Sequence, residues 1–250
     1  MSLTQYYVHQ WGPPHSGSFQ CAQRAFARSL AGSAVMCYLL SIKDRHNGNI
    51  VVDSSGSIVH IDYGFILGIS PGNNLGFETA AFKLSQEMID LLCISSTHQS
   101  TDGRGAAGAG TGTGSGVGGG VVSLEGEYIF PSASGSGVGW SGDDGGGGRG
   151  KQFQESVAFQ AFVDLTVHAF LAARDCMDEI LSTVAAFADS DLPCFQHRLS
   201  VLSALRARFM PDLSAERAAA QMRALLLDAG SKWTTQGYDR IQQIQNNIYY

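Results

Sequence analysis

The chain has 250 residues, 44% of them hydrophobic and 15% charged, and 16 basic side chains stand against 22 acidic ones for a net charge of −6. That balance argues against bulk electrostatic binding to nucleic acid, and no run approaches the roughly 20 apolar residues that span a bilayer, so membrane contact is expected to be peripheral. Five scattered cysteines, Cys21, Cys37, Cys93, Cys176 and Cys194, form no C-x-x-C pair and fit a reducing, cytoplasmic setting better than a disulfide scaffold.

Residues 1–18 are polar and broken by Gly12, Pro13, Pro14 and Gly17, and they are expected to form an irregular lead-in. From Phe19 the pattern changes. Phe26, Leu30, Ala34, Cys37 and Leu40 recur at spacings of three and four, which predicts a helix over residues 20–40 with Gly32 as its weak point. The polar stretch 41–49 then reads as a loop between two apolar segments. Ile50-Val51-Val52 and Ser57 to Ile61 are β-branched runs separated by Asp53-Ser54-Ser55-Gly56, the signature of a hairpin. Phe65 to Phe82 reads as a loop, and Leu84 to Leu92 as a helix capped by Ser85.

Glycine is unevenly spread, with 20 of the 31 in positions 101–150, so the tract 95–150 reads as a flexible, disordered insertion with a more varied island at 121–131. From Gln152 the spacing is helical again. Helices are expected over 152–174, 177–188, 199–209 and 214–228, with Pro193 and Pro211 at boundaries and Gly230 closing the last. The fold class is therefore α+β, mostly α, with a small β-hairpin carrying the conspicuous polar residues.

Asp44 and Asn49 lie five apart in the loop before the hairpin, and Asp62 follows the hairpin's second strand. A hairpin of this length returns Asp62 next to Asn49, which gathers three oxygen-bearing side chains at one end of the sheet. Asn49 and Asp62 then offer the hard oxygens that Mg²⁺ prefers when phosphates complete its shell, and Asp44 remains as a base. That division of labour belongs to phosphoryl transfer.

The stretch Lys43-Asp44-Arg45-His46-Asn47-Gly48-Asn49-Ile50, with His60-Ile61-Asp62-Tyr63-Gly64-Phe65, resembles the catalytic and activation loops of the phosphatidylinositol 3- and 4-kinase superfamily. Within it, Asn74-Leu75-Gly76-Phe77-Glu78, Phe82-Lys83-Leu84, Leu192-Pro193-Cys194-Phe195 and Tyr238-Asp239-Arg240-Ile241-Gln242 resemble the type III phosphatidylinositol 4-kinases, the beta type most closely. The resemblance implies the C-lobe of a protein-kinase-like fold over 19–250, with a catalytic loop at 41–49 and an activation loop at 62–84. It implies Asp44 near the substrate hydroxyl, His46 as its rival or partner in moving the proton, and Asn49 and Asp62 as ligands of Mg²⁺, or Mn²⁺ in its place, with ATP. Arg45 is expected to brace the loop, and Tyr63 to replace the commoner Phe without harm.

The substrate loop, from Gly64 onward, carries Lys83 alone as a basic residue, which implies unphosphorylated phosphatidylinositol as acceptor; Lys83 is either a substrate-loop cation or a solvated surface charge. The terminal segment with Trp233, Tyr238, Ile241 and Ile248 is either an interfacial helix or a packed one. No phosphate-covering loop or strand Lys precedes residue 43, so the N-lobe is expected to be absent, with the chain a lobe of a larger enzyme or a truncated product. The expected function is transfer of the ATP γ-phosphoryl group to the 4-hydroxyl of phosphatidylinositol, peripherally at Golgi or endomembranes. Two alternatives stand beside it: a non-catalytic binding module on the same scaffold, and a related protein Ser/Thr kinase.

Overall fold

The helix expected over residues 20–40 runs as α2 from Gly17 to Leu40, and the other elements pack around it. The computed structural model describes residues 1–71, 81–94, 121–122, 128–129, 156–196 and 198–231. Ser16 starts α2 by accepting from the Phe19 N–H. Phe19, Phe26, Leu30, Ala34 and Cys37 form its buried stripe, whereas Gly32 lies on the exposed side and does not interrupt it. Each phenylalanine so buried contributes about 1.5–3 kcal/mol.

The expectation of an irregular lead-in over 1–18 is corrected by a helix, α1, at Leu3–Trp11. Ser2 and Gln5 bond reciprocally as a capping box, and the Gly and Pro residues act only after Trp11, where Gly12 at φ 85° ends the helix. Aromatic packing holds α1 in place. Tyr7 is fully buried with its ring 4.6 Å from Trp11 and 5.8 Å from Phe26, and its hydroxyl donates to the Gly56 carbonyl at 2.5 Å.

That bond reaches the hairpin turn. Strands β1, Ile50–Val52, and β2, Ile58–His60, pair antiparallel with Ile50 opposite His60 and Val52 opposite Ile58. Asp53 closes the turn with Oδ1, which accepts from the Ser55 N–H, the Ser55 hydroxyl and the Ser57 N–H; these bonds hold its carboxyl below the usual range. Gly56 sits at φ 88°, and a Cβ there would stand 2.7 Å from the Ala22 Cβ, so the turn backs directly onto α2.

Helix α3, Gln86–Cys93, is capped by Ser85 as expected. Helix α4, Val157–Asp175, lies along α2 and is followed by α5, Met177–Ala185, a 3₁₀ turn at Pro193–Phe195, α6, Arg198–Arg208, and α7, Ala215–Ser231. The last runs through Gly230 rather than closing there. By length and composition alone α4 could cross a membrane, although polar residues interrupt its apolar run. Its Phe159, Phe162, Val167 and Phe170 nevertheless belong to the core shared with α2, and Asp164 pairs with Arg223 of α7 at 2.7 Å.

Two short strands in the Gly-rich tract, β3 at Val121–Val122 and β4 at Tyr128–Ile129, pair antiparallel. The rest of the expected insertion, the Asn74-to-Glu78 motif and the terminal segment from Trp233 lie outside the described residues. Within the described residues the chain is mostly helical with a small antiparallel sheet beside α2.

Candidate functional site

Loop 41–49 begins where α2 is brought to a stop. Ser41 adopts a left-handed conformation at φ 51°, and Arg208 of α6 grips the junction by donating to the Tyr38 carbonyl at 2.8 Å and the Ser41 hydroxyl at 3.1 Å. Two backbone bonds then fasten the segment after the hairpin to this region. The Lys43 N–H donates to the Phe65 carbonyl at 2.9 Å, and the Leu67 N–H to the Leu40 carbonyl at 2.8 Å.

Arg45 is the main brace. It is 2% exposed, and its planar fork donates to the Lys43 carbonyl at 2.9 Å, the Ile61 carbonyl at 2.8 Å and the Asp62 carbonyl. A charged donor with several N–H groups can join three main-chain acceptors that have no donor to give one another. The Tyr63 ring lies 5.6 Å from the guanidinium carbon, and its hydroxyl donates to the His60 carbonyl, so the phenol adds a bond that a phenylalanine could not make.

Asn49 is buried and donates Nδ2 to the Asp44 carbonyl at 2.9 Å, while its main-chain carbonyl accepts from the Ile61 N–H at 2.9 Å. The catalytic-loop candidates and the residues flanking Asp62 are thus joined through the main chain. Asp44 and Asp62 both sit at positive φ, 63° and 58°. Aspartate tolerates that region better than most residues, and such strain concentrates at functional sites. The Asp62 side chain is exposed, and one of its oxygens accepts from the Gly64 N–H at 3.1 Å. A Cβ on Gly64 would come 3.3 Å from that oxygen, so glycine keeps the space beside the carboxylate open.

His46 places Nε2 3.9 Å from an Asp44 carboxylate oxygen. Its Nδ1 is buried and has no hydrogen-bond partner among the described residues. Nε2 is therefore the ring nitrogen that faces a charged neighbour, Asp44.

The donor set fits a hard divalent cation shared with phosphate. Asn49 spends its amide N–H on Asp44 and so keeps its carbonyl oxygen as the group a ligand could use, and Asp62 has carboxylate capacity beyond its Gly64 bond. Among the described residues no group of three or more His, Cys, Asp and Glu side chains gathers into a metal cage. Two protein oxygens with phosphates completing the shell is the arrangement Mg²⁺ commonly takes.

Lys83 departs from one of its two expected roles. It is 6% exposed, not a solvated surface charge, and its ammonium donates to the Asn47 side-chain oxygen at 2.9 Å. Phe82 and Leu84 on either side are core residues, and they draw it inward.

His60, in sequence only one member of the motif before Asp62, lies at the centre of this packing. It is buried with Nδ1 3.8 Å from the Cys37 sulfur, and burial, then the Arg45 and Lys83 charges, push its pKa down to about 4. The alternation of β2, with Ile58 and His60 inward and Val59 outward, was the available signal. That alternation also leaves Val51, Val59, Ile61 and Tyr63 between 42% and 44% exposed, an apolar strip on the hairpin running up to Asp62.

Comparison with known proteins adds a family to this geometry. The family model described as phosphatidylinositol 3- and 4-kinase matches residues 2–103. The chain is 37% identical over 98% of its length to phosphatidylinositol 4-kinase alpha 1 of Arabidopsis thaliana, of which it covers 9%. It is 31% identical over 99% of its length both to phosphatidylinositol 4-kinase STT4 of Saccharomyces cerevisiae and to phosphatidylinositol 4-kinase beta of Sorex araneus, covering 10% and 24% of them. The chain therefore spans a quarter or less of these relatives, and with alpha and beta types both matching, the beta type is not singled out.

Proposed function

We propose that this chain, which belongs to the phosphatidylinositol 3- and 4-kinase family, carries the catalytic loop of a phosphatidylinositol 4-kinase and serves transfer of the ATP γ-phosphoryl group to the 4-hydroxyl of phosphatidylinositol. The observation that carries it is the Arg45 clamp, which holds the Asp44–Asn49 loop against the main chain at Asp62. The acceptor is taken from the names of the relatives, all of them phosphatidylinositol 4-kinases, and those names do not favour a non-catalytic module or a protein kinase.

In this reading the inositol hydroxyl oxygen bonds to the γ-phosphorus, the bond from that phosphorus to the ADP oxygen breaks, and the hydroxyl proton passes to the Asp44 carboxylate. His46 turns Nε2 toward the same region, where a ring N–H would offset negative charge. Mg²⁺, or Mn²⁺ in its place, held by the Asn49 side-chain carbonyl and the Asp62 carboxylate, would neutralise charge on the β- and γ-phosphates. The strip of Val51, Val59, Ile61 and Tyr63 gives the nucleotide base an apolar surface next to the phosphate-handling end.

Lys83 is the single basic residue between Gly64 and Leu84, and it is committed to Asn47, which supports an acceptor without further phosphates. We place the work at the cytoplasmic surface of a membrane, where such a lipid presents its headgroup, with Golgi and endomembranes as the proposed setting. The test uses the native polypeptide containing this chain, labelled ATP, phosphatidylinositol vesicles and a peptide panel. Label in phosphatidylinositol 4-phosphate is expected; label confined to peptide, or none in either, would sink the proposal.

A further inference from the structure

Resting on the reading of this site as a phosphoryl-transfer centre, we propose that Lys83 is a positioning residue whose buried ammonium ties the far end of the 64–84 loop to Asn47 and so holds the turn that presents Asn49. Its backbone is fixed from both sides. Phe82 and Leu84 are buried in the core, and the next residue, Ser85, caps α3. From that anchored position Nζ donates to Asn47 Oδ1 at 2.9 Å, a link across 36 residues of sequence.

Asn47 opens the 3₁₀ turn Asn47–Asn49. The turn is closed by the Asn49 N–H donating to the His46 carbonyl at 3.0 Å and by the Ile50 N–H donating to the Asn47 carbonyl. Asn49 then donates its side-chain amide to the Asp44 carbonyl at 2.9 Å. Displacing Asn47 therefore displaces Asn49 and Asp44 as a unit.

The burial of Lys83 separates this role from lipid binding. A lysine that met a headgroup phosphate would keep its ammonium in water at the end of a flexible stem, whereas this one is 6% exposed. Removing an ammonium from water is unfavourable unless the protein supplies acceptors, so its burial is a commitment to the loop it touches. The placement of Lys83 thereby bears on the geometry of the catalytic loop, with no contact between lysine and substrate.

The experiment compares the native polypeptide containing this chain with Lys83→Met, Lys83→Arg, Asn47→Ala and the Lys83→Met/Asn47→Ala double variant, on phosphatidylinositol vesicles with ATP. Lys83→Met is expected to lower kcat on the order of 10- to 100-fold, as misplacement of a catalytic group does, with the KM for phosphatidylinositol held within about twofold. Lys83→Arg should recover most of the loss. The double variant should be no worse than the more damaged single, since both remove one link. A raised KM with unchanged kcat would make Lys83 a substrate contact and overturn the proposal, as would losses that simply add.

Amide hydrogen exchange decides the matter without turnover. Lys83→Met is expected to speed exchange at Asn49 and Ile50 and to leave the Ala218 amide of α7 unchanged; unaltered exchange at Asn49 and Ile50 overturns the proposal. Should the unsubstituted protein leave phosphatidylinositol unlabelled, the functional proposal fails while exchange still reports on the tie. Asn47→Ala carries both measurements if Lys83→Met does not fold, because Asn47 is only half-buried and loses just the acceptor.

Discussion

Replacing Arg45 by methionine keeps an unbranched side chain in the core and removes the guanidinium that joins three main-chain carbonyls. A hydrogen bond from a charged donor contributes about 1.5–3 kcal/mol, and a buried acceptor left without one loses about 1–3 kcal/mol. The three do not count equally. Ile61 and Asp62 are exposed residues whose carbonyls water can reach once the fork is gone, whereas Lys43 is half-buried. A local loss of about 2–4 kcal/mol is therefore expected, well below the gross sum of three such bonds.

The loss should appear where the clamp acts, in the Ile61 amide that donates to Asn49 and the Lys43 amide that donates to Phe65. At 1.4 kcal/mol per tenfold, their exchange should accelerate roughly 30- to 700-fold, while amides within α7 stay protected. Arg45→Lys should fall between the two, since it keeps the charge but has one compact head in place of the fork. In turnover assays Arg45→Met should lose kcat on the order of 100-fold through misplacement of Asp62 and Asp44. Exchange at Ile61 and Lys43 within about twofold of the unsubstituted protein would refute the clamp, because a brace that can be removed without loosening either segment holds nothing.

Asp62→Asn keeps the side chain's size but removes the charge a divalent cation needs, and phosphoryl transfer should fall on the order of 1000-fold in a radiolabel assay; undiminished turnover places the site elsewhere. Gly56→Ala brings a Cβ to 2.7 Å from the Ala22 Cβ at a φ of 88°, and should destabilise the protein by about 2–4 kcal/mol. Thermal unfolding checks it, and an unchanged melting temperature contradicts the close approach of turn and helix. Burial pushes the Cys93 thiol up to about 11, so at pH 8 only about one molecule in a thousand carries the reactive thiolate. Iodoacetamide should therefore modify the exposed Cys21 and Cys176 first, with Cys93 accelerating as pH rises toward 11; equal rates at pH 8 would show that the partial burial of Cys93 does not raise its thiol.

What the sequence made legible was local. The five-residue spacing of Asp44 and Asn49, the β-branched runs around Asp53 and Gly56, and the cap at Ser85 each depend on neighbours a few positions away, and the hairpin register joins Asn49 to Ile61 much as the spacing required. Helix α1 is hidden in the sequence by the breakers at 12–17, because the residues before them are fixed by Tyr7 packing on Trp11 and Phe26. One of the two readings of Lys83 fails for a related reason. Composition treats a lysine in a loop as solvated, and only the burial of Phe82 and Leu84 reverses that.

The same division explains why the site is braced as it is. Its chemistry-bearing side chains, Asp44, His46, Asn49 and Asp62, lie in loops or a short 3₁₀ turn, where neither helix nor strand supplies a regular ladder to fix them. Order must come from side chains that reach across to other loop groups, and two long basic residues of the region, Arg45 and Lys83, are buried with bonds to main-chain carbonyls and to the Asn47 side chain. Their charges would each be unfavourable in a core that offered no acceptors. Together they make loop geometry depend on a few long-range bonds, so catalytic competence here should be lost by local loosening at Asn47 or Ile61 well before the helical core around α2 gives way.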